Sequence, residues 1–164
     1  MTFIVTALRR TMSRKDMFLD YKRELCAMDG FDDLADPLWT YLADFELFTS
    51  DEDAEWIPVK YDGEEVGFLI ALNGKLVRDD TLDYYLWDTY IKPPYRRLGL
   101  MRRTVENYVR NHPGTYGLVM MDVNEGAHKF WESVMGKPDE IREWNWPGCR
   151  LYVYRKEKSE RDRD

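Results

Sequence analysis

Apolar residues change their spacing several times along this chain, and each change falls beside a residue that starts or ends an element. Phe3 to Leu8 reads as a short strand. Ser13, with Asp16 three positions on, marks a helix start, and Met17, Phe18, Tyr21, Leu25 and Met28 recur at helical spacing up to Asp29-Gly30. Asp36-Pro37 supplies a cap and a first-turn proline for a second helix carrying Leu38, Trp39, Leu42, Phe45 and Leu47. After an acidic loop from Ser50 to Glu55, Trp56–Tyr61 and Glu65–Leu72 flank Asp62-Gly63, a dipeptide that favours a tight hairpin. Asn73-Gly74 marks another turn. Leu82 to Ile91 is a long aromatic strand stopped by Pro93-Pro94, which cannot donate to a ladder.

From Leu98 to Arg110 the residues Leu98, Met101, Val105, Tyr108 and Val109 share one helical face, ended by His112-Pro113-Gly114. Tyr116–Val123 is a continuous apolar strand and Glu125–Met135 a further helix. Ile141–Trp146 and Arg150–Tyr154 form a closing hairpin around Pro147-Gly148, and the charged tail from Lys156 to Asp164 reads as flexible. The predicted order is strand, two helices, three strands, helix, strand, helix, two strands. That order predicts one α/β (α+β) domain over residues 1–155 with no repeats and no linker.

Composition supports a folded chain. Its 164 residues suit one core, and six Trp, eleven Tyr and seven Phe are too many aromatics for disorder, although 34% of the residues are charged. No apolar run reaches the ~18 residues of a membrane span, and Met1 to Val5 lacks a signal peptide's charged region. The cytoplasm is therefore the expected compartment, with no membrane partner. Cys26 and Cys149 have no ligand or redox spacing, and His112 and His128 do not complete a zinc set, so no metal is expected and both thiols read as reduced. A net charge of −7 disfavours nucleic acid and fits a cationic partner, but solubility explains it equally well.

The segment Tyr95-Arg96-Arg97-Leu98-Gly99-Leu100-Met101 joins the aromatic strand to the basic helix. Free N–H groups and the dipole at a helix start attract phosphate, and a glycine lets a ligand approach the backbone. Arg96, Arg97, Arg102 and Arg103 oppose that dipole, an arrangement that an anion or nearby carboxylates would relieve.

Ile91-Lys92-Pro93-Pro94-Tyr95-Arg96-Arg97-Leu98-Gly99-Leu100-Met101 resembles the V-x-P-x-Y-R-x-x-G-x-G/A signature of the GCN5-related N-acetyltransferases. Asn124-x-x-Ala127-x-x-Phe130-Trp131, followed by Gly136, resembles that family's second signature, in the expected order and spacing. The resemblance is good from Trp56 to Tyr154 and holds only in outline before that. It implies a mixed, mostly antiparallel sheet of about seven strands with about four helices, splayed between the fourth and fifth strands. It also implies acetyl transfer from acetyl-CoA to a primary amine on a small molecule, protein or peptide.

Carried onto matching positions, the resemblance implies that Arg96, Arg97, Leu98, Gly99, Leu100 and Met101 seat the CoA pyrophosphate. Thr89, Tyr90 and Ile91 would bond the pantetheine arm, and Asn124 would contact it from the last helix; the Ile91 N–H can polarise the thioester carbonyl. Trp131 falls where the family often has the tyrosine that protonates the departing thiolate, and an indole N–H is a very poor acid. Met101 replaces a small residue. Tyr90, Tyr95 and Tyr116 are alternative acids, and a thiol pKa near ~8.5 makes the thiolate a tolerable leaving group without one. Asp88 is the candidate base, with Asp83 and Asp122 weaker ones.

Each assignment has a plainer counterpart. Asn124 suits a helix N-cap, Asp88 a hydrogen-bonded structural carboxylate, Arg102 and Arg103 a solvated face or a contact to the CoA 3′-phosphate, and Trp131 the core. Asp29, Asp32, Asp33, Asp36 and Asp44 can flank a cationic acceptor. The alternative to an enzyme is a catalytically weak or inactive member of the fold that binds CoA or a protein. A homodimer through the closing hairpin is left open.

Overall fold

The computed structural model describes residues 12–28 and 38–157. The expected strand Phe3–Leu8, the stop at Asp29-Gly30, the acidic residues Asp32 and Asp33, the Asp36-Pro37 cap and the tail from residue 158 onward lie outside the described residues.

Helix α1 spans Arg14–Cys26 and α2 Leu38–Ser50, followed by strands β1 (Ala54–Tyr61) and β2 (Glu64–Asn73) and a four-residue helix, α3 (Gly74–Val77). Strand β3 (Tyr84–Ile91), a 3₁₀ turn at Pro93–Tyr95, α4 (Leu100–Asn111), β4 (Gly114–Met121), α5 (Glu125–Met135), β5 (Glu140–Glu143) and β6 (Cys149–Lys156) complete the order. The six strands of the described residues form one sheet in the order β1-β2-β3-β4-β6-β5. The difference from about seven strands is the expected Phe3–Leu8 strand. All neighbours are antiparallel except β3 and β4.

Local chemistry explains the boundaries. The Ser13 hydroxyl accepts the Asp16 N–H at 3.1 Å and donates to its carboxylate at 2.7 Å, which starts α1. Asp62 and Gly63 both take positive φ, 49° and 80°, as the tight β1–β2 turn requires. Asn73 caps α3 where a plain turn was expected, its Oδ1 accepting the Lys75 N–H at 2.9 Å. Gly114, expected to end the preceding helix, and Thr115, expected to precede the strand, instead open β4. The Thr115 N–H donates to Asp83 at 2.7 Å, and a Cβ at Gly114 would stand 2.8 Å from the same carboxylate oxygen.

Two cores sandwich the sheet. On one face α4 and α5 cover Val59, Leu69, Ala71, Leu86, Leu118 and Tyr152. On the other, Met17 and Phe18 of α1 and Phe48 of α2 pack on Phe68, Ile70, Leu72, Tyr85 and Val153. Among the described residues, no helix is long and apolar enough to cross a membrane.

Candidate active site at the split between β3 and β4

Parallel strands β3 and β4 pair only at Tyr84 with Tyr116 and Tyr85 with Gly117, then diverge toward their C-terminal ends. This is the expected splay, and both signature segments leave from its open end. The loop from Lys92 to Gly99 follows β3 into α4, and Asn124 follows β4 into α5.

Left-handed backbone at Arg97 (φ 66°) and Gly99 (φ 71°) turns the loop before α4, as in anion-binding backbone concavities. Within the described residues, the backbone N–H groups from Arg97 to Arg102 donate to no acceptor; the next one, of Arg103, donates to the Gly99 carbonyl at 3.1 Å. A helix start accounts for part of this set, and the preceding loop adds the rest. A Cβ on Gly99 would meet nothing closer than the Arg103 guanidinium at 3.8 Å, so the loop's outer surface is open. Such a set of donors fits a pyrophosphate.

The side chains of this loop behave differently from one another. Arg97 and Leu98 are exposed, whereas Leu100 and Met101 are buried in the core with Val105 and Trp131. Arg96 is committed within the protein. Its Nε donates to the Ile91 carbonyl at 2.7 Å, and its Nη2 donates to both carboxylate oxygens of Glu24 at 2.7 and 2.8 Å. With both side chains more than 40% exposed, this pair contributes little stability, and its effect is to fix the loop against α1.

Asn124 caps α5, its Oδ1 accepting the Ala127 N–H at 3.0 Å. Trp131 is 6% exposed in the core beneath α4. The Tyr116 hydroxyl donates to the His112 carbonyl, at the closed end of the split. Tyr90 is buried beneath the Arg96 guanidinium, and burial, then the nearby Glu24 carboxylate, raises its pKa. Thr89 and Ile91 are half-buried on the same strand end.

Asp88 is only 7% exposed. It accepts the Tyr21 hydroxyl at 2.5 Å and pairs with the Lys22 ammonium at 3.2 Å, both from α1. Burial first, then the Asp88 charge, pushes the Tyr21 pKa well up, so this phenol stays a donor. Sequence reading placed Tyr21 on a core face and passed over Lys22 and Glu24; a buried lysine breaks helical periodicity without announcing its partner. Among the described residues, no cluster of His, Cys, Asp and Glu could hold a metal ion.

The Acetyltransferase (GNAT) family model matches residues 16–136, and the chain belongs to that family. A search of curated proteins finds no match. Among solved structures, an acetyltransferase from Thermus thermophilus is similar at 20% identity over 70% of this chain and 72% of that one, with a TM-score of 0.57. The ribosomal-protein-S18-alanine N-acetyltransferase from Escherichia coli is similar at 17% identity over 93% and 95%, TM-score 0.56. An N-acetyltransferase from Staphylococcus aureus is similar at 15% identity over 87% and 97%, TM-score 0.54. Identities this low establish a shared fold.

Proposed function

We propose that this GNAT acetyltransferase transfers an acetyl group from acetyl-CoA to a primary amine by direct attack. The observation that carries this reading is the run of free N–H groups from Arg97 to Arg102 at the open end of the β3–β4 split. Acetyl-CoA would supply the activated acetyl group as a thioester. The loop N–H groups hold its pyrophosphate, and the divergent edge of β3 from Thr89 to Ile91 offers backbone partners for its arm.

An alkyl amine with pKa near ~10.4 must lose a proton before it attacks. Asp88 is the carboxylate that β3 carries on the α1 face, with Tyr21 and Lys22 fixing its position. Tyr90, kept protonated by burial, is the hydroxyl assigned to the departing thiolate. The buried Trp131 in the usual tyrosine position favours one other reading, a binding module with little turnover.

Thermal unfolding with and without acetyl-CoA, followed by thiol release with peptides, polyamines, aminoglycosides and aryl amines, separates the two. A ligand that binds only the native state stabilises it by about 2.7 kcal/mol at a hundredfold excess over its dissociation constant. No shift at saturating acetyl-CoA would sink the enzyme reading. A shift without thiol release from any amine would leave the binding module.

A further inference from the structure

A β-bulge in β3 gives the α1/α2 face of the split an unexpected set of side chains. Ile70 pairs with Asp88 and the next residue, Ala71, with Leu86, so Trp87 is the extra residue. Simple alternation would put Asp88 on the face opposite Tyr85 and Trp87. With the bulge, Tyr85 packs in the α1/α2 core, Trp87 faces Phe48 of α2 at 6.2 Å between ring centroids, and Asp88 meets Tyr21 and Lys22 of α1.

An aromatic wall results, beginning where β3 leaves β4. The rings of Tyr85 and Trp87 are 5.3 Å apart, and Trp144, beyond the end of β5, reaches Tyr85 at 6.1 Å. Trp87 remains 40% exposed although its strand lies inside the sheet. Among the described residues, the Tyr85 hydroxyl is the one buried side-chain polar atom without a hydrogen-bond partner, and the residue is 2% exposed. Native proteins rarely leave such an atom unpaired without a use for it. The carboxylate on this face, Asp88, is already matched by the Lys22 ammonium. A second cation on the acceptor would therefore find no uncompensated charge on Asp88, whereas a flat ring would find indole and phenol faces.

We infer that the amine acceptor carries an aromatic group, seated against Trp87 and Trp144, with a polar atom that pairs with the Tyr85 hydroxyl. The inference rests on the acetyltransferase reading for its placement at the split. It adds an aromatic group to the acceptor, as in an arylalkylamine or an aromatic residue bearing a free amine, beside the positive charge that the net charge and the acidic N-terminal segment already favour.

Calorimetric binding of tyramine, propylamine and spermidine to the CoA-saturated protein tests it without requiring turnover. Tyramine is expected to bind about tenfold or more tightly than either other amine, since one good aromatic contact reaches that size. Trp87→Ala, at a partly exposed position, and Tyr85→Phe, which keeps the ring, should each cut that preference while leaving CoA affinity unchanged. Equal binding of the three amines, a preference for spermidine, or an unchanged preference in both variants would overturn the inference. So would a concentration-dependent dimer abolished by Trp87→Ala, which would assign the wall to a second copy. Thiol release measured alongside separates the two readings. Tyramine bound through Trp87 without thiol release would retain the aromatic site and remove the acetyltransferase reading; release with spermidine and not tyramine would do the reverse.

Discussion

Replacing Asp88 by Asn removes one charge from a pair in which both side chains are almost wholly buried, 8% exposed for Asp88 and 10% for Lys22. Asparagine keeps a carbonyl oxygen for the Tyr21 hydroxyl, so the main loss is the anion beside Lys22. Breaking a buried pair from one side costs about 3–5 kcal/mol, because the remaining charge loses its compensation. That is a large share of a total stability of ~5–15 kcal/mol, and in a chain of this size it lowers Tm by roughly 6–20 °C. Adding Lys22→Met to Asp88→Asn removes the ammonium as well, so neither charge of the pair remains buried. The double variant is thus expected to recover most of the loss. Urea unfolding followed by tryptophan fluorescence measures all four corners of the cycle. A loss below about 1 kcal/mol in Asp88→Asn, or additive losses in the double variant, would refute the argument that this pair anchors α1 to β3.

Two glycines separate steric from conformational cost. A Cβ at Gly67 would lie 2.2 Å from the Tyr90 carbonyl oxygen, a backbone atom that cannot step aside, so Gly67→Ala should displace the end of β3 and weaken acetyl-CoA binding and stability together. Gly99→Ala meets no close atom and should cost only the ~1–2 kcal/mol of its left-handed backbone; equal melting temperatures for the two variants would contradict this. Arg96→Glu sets a carboxylate against Glu24 and removes the bond to the Ile91 carbonyl, and should weaken acetyl-CoA binding; unchanged affinity would place the phosphates elsewhere. Burial raises the pKa of Tyr21, Tyr85, Tyr108 and Tyr116, and takes Tyr154 to about 12. The unfolded chain therefore releases these protons first. The stability they contribute is complete below their unfolded pKa of ~10 and is lost as pH rises through the folded values, which urea titrations at rising alkaline pH will register as a falling midpoint. Trp131→Tyr should change thiol release little, because Tyr90 carries the hydroxyl assigned to the thiolate; a sharp gain would show that the acid had been absent.

Much of the fold was legible because local rules and tertiary packing agree. Ser13, Asp62-Gly63 and Asn124 each carry the chemistry of their position in their own side chain or backbone freedom, and the helices and strands they bound were readable from spacing. The loop proposed to seat phosphate was picked out for the same reason, since backbone N–H groups at a helix start need no distant partner. The strand limits near Asp83 and Gly114 were not, because a contact between separate segments sets them. Nor was the face inferred to meet the acceptor. Whether Tyr85, Trp87 and Asp88 share a face depends on one bulged residue opposite Ile70 and Ala71, which the pairing of β3 with β2 imposes. Arg96 was read from its place in the loop alone, whereas its guanidinium also pairs with Glu24, 72 positions away. Local sequence determines what each residue can do; long-range pairing selects which partner it does it with.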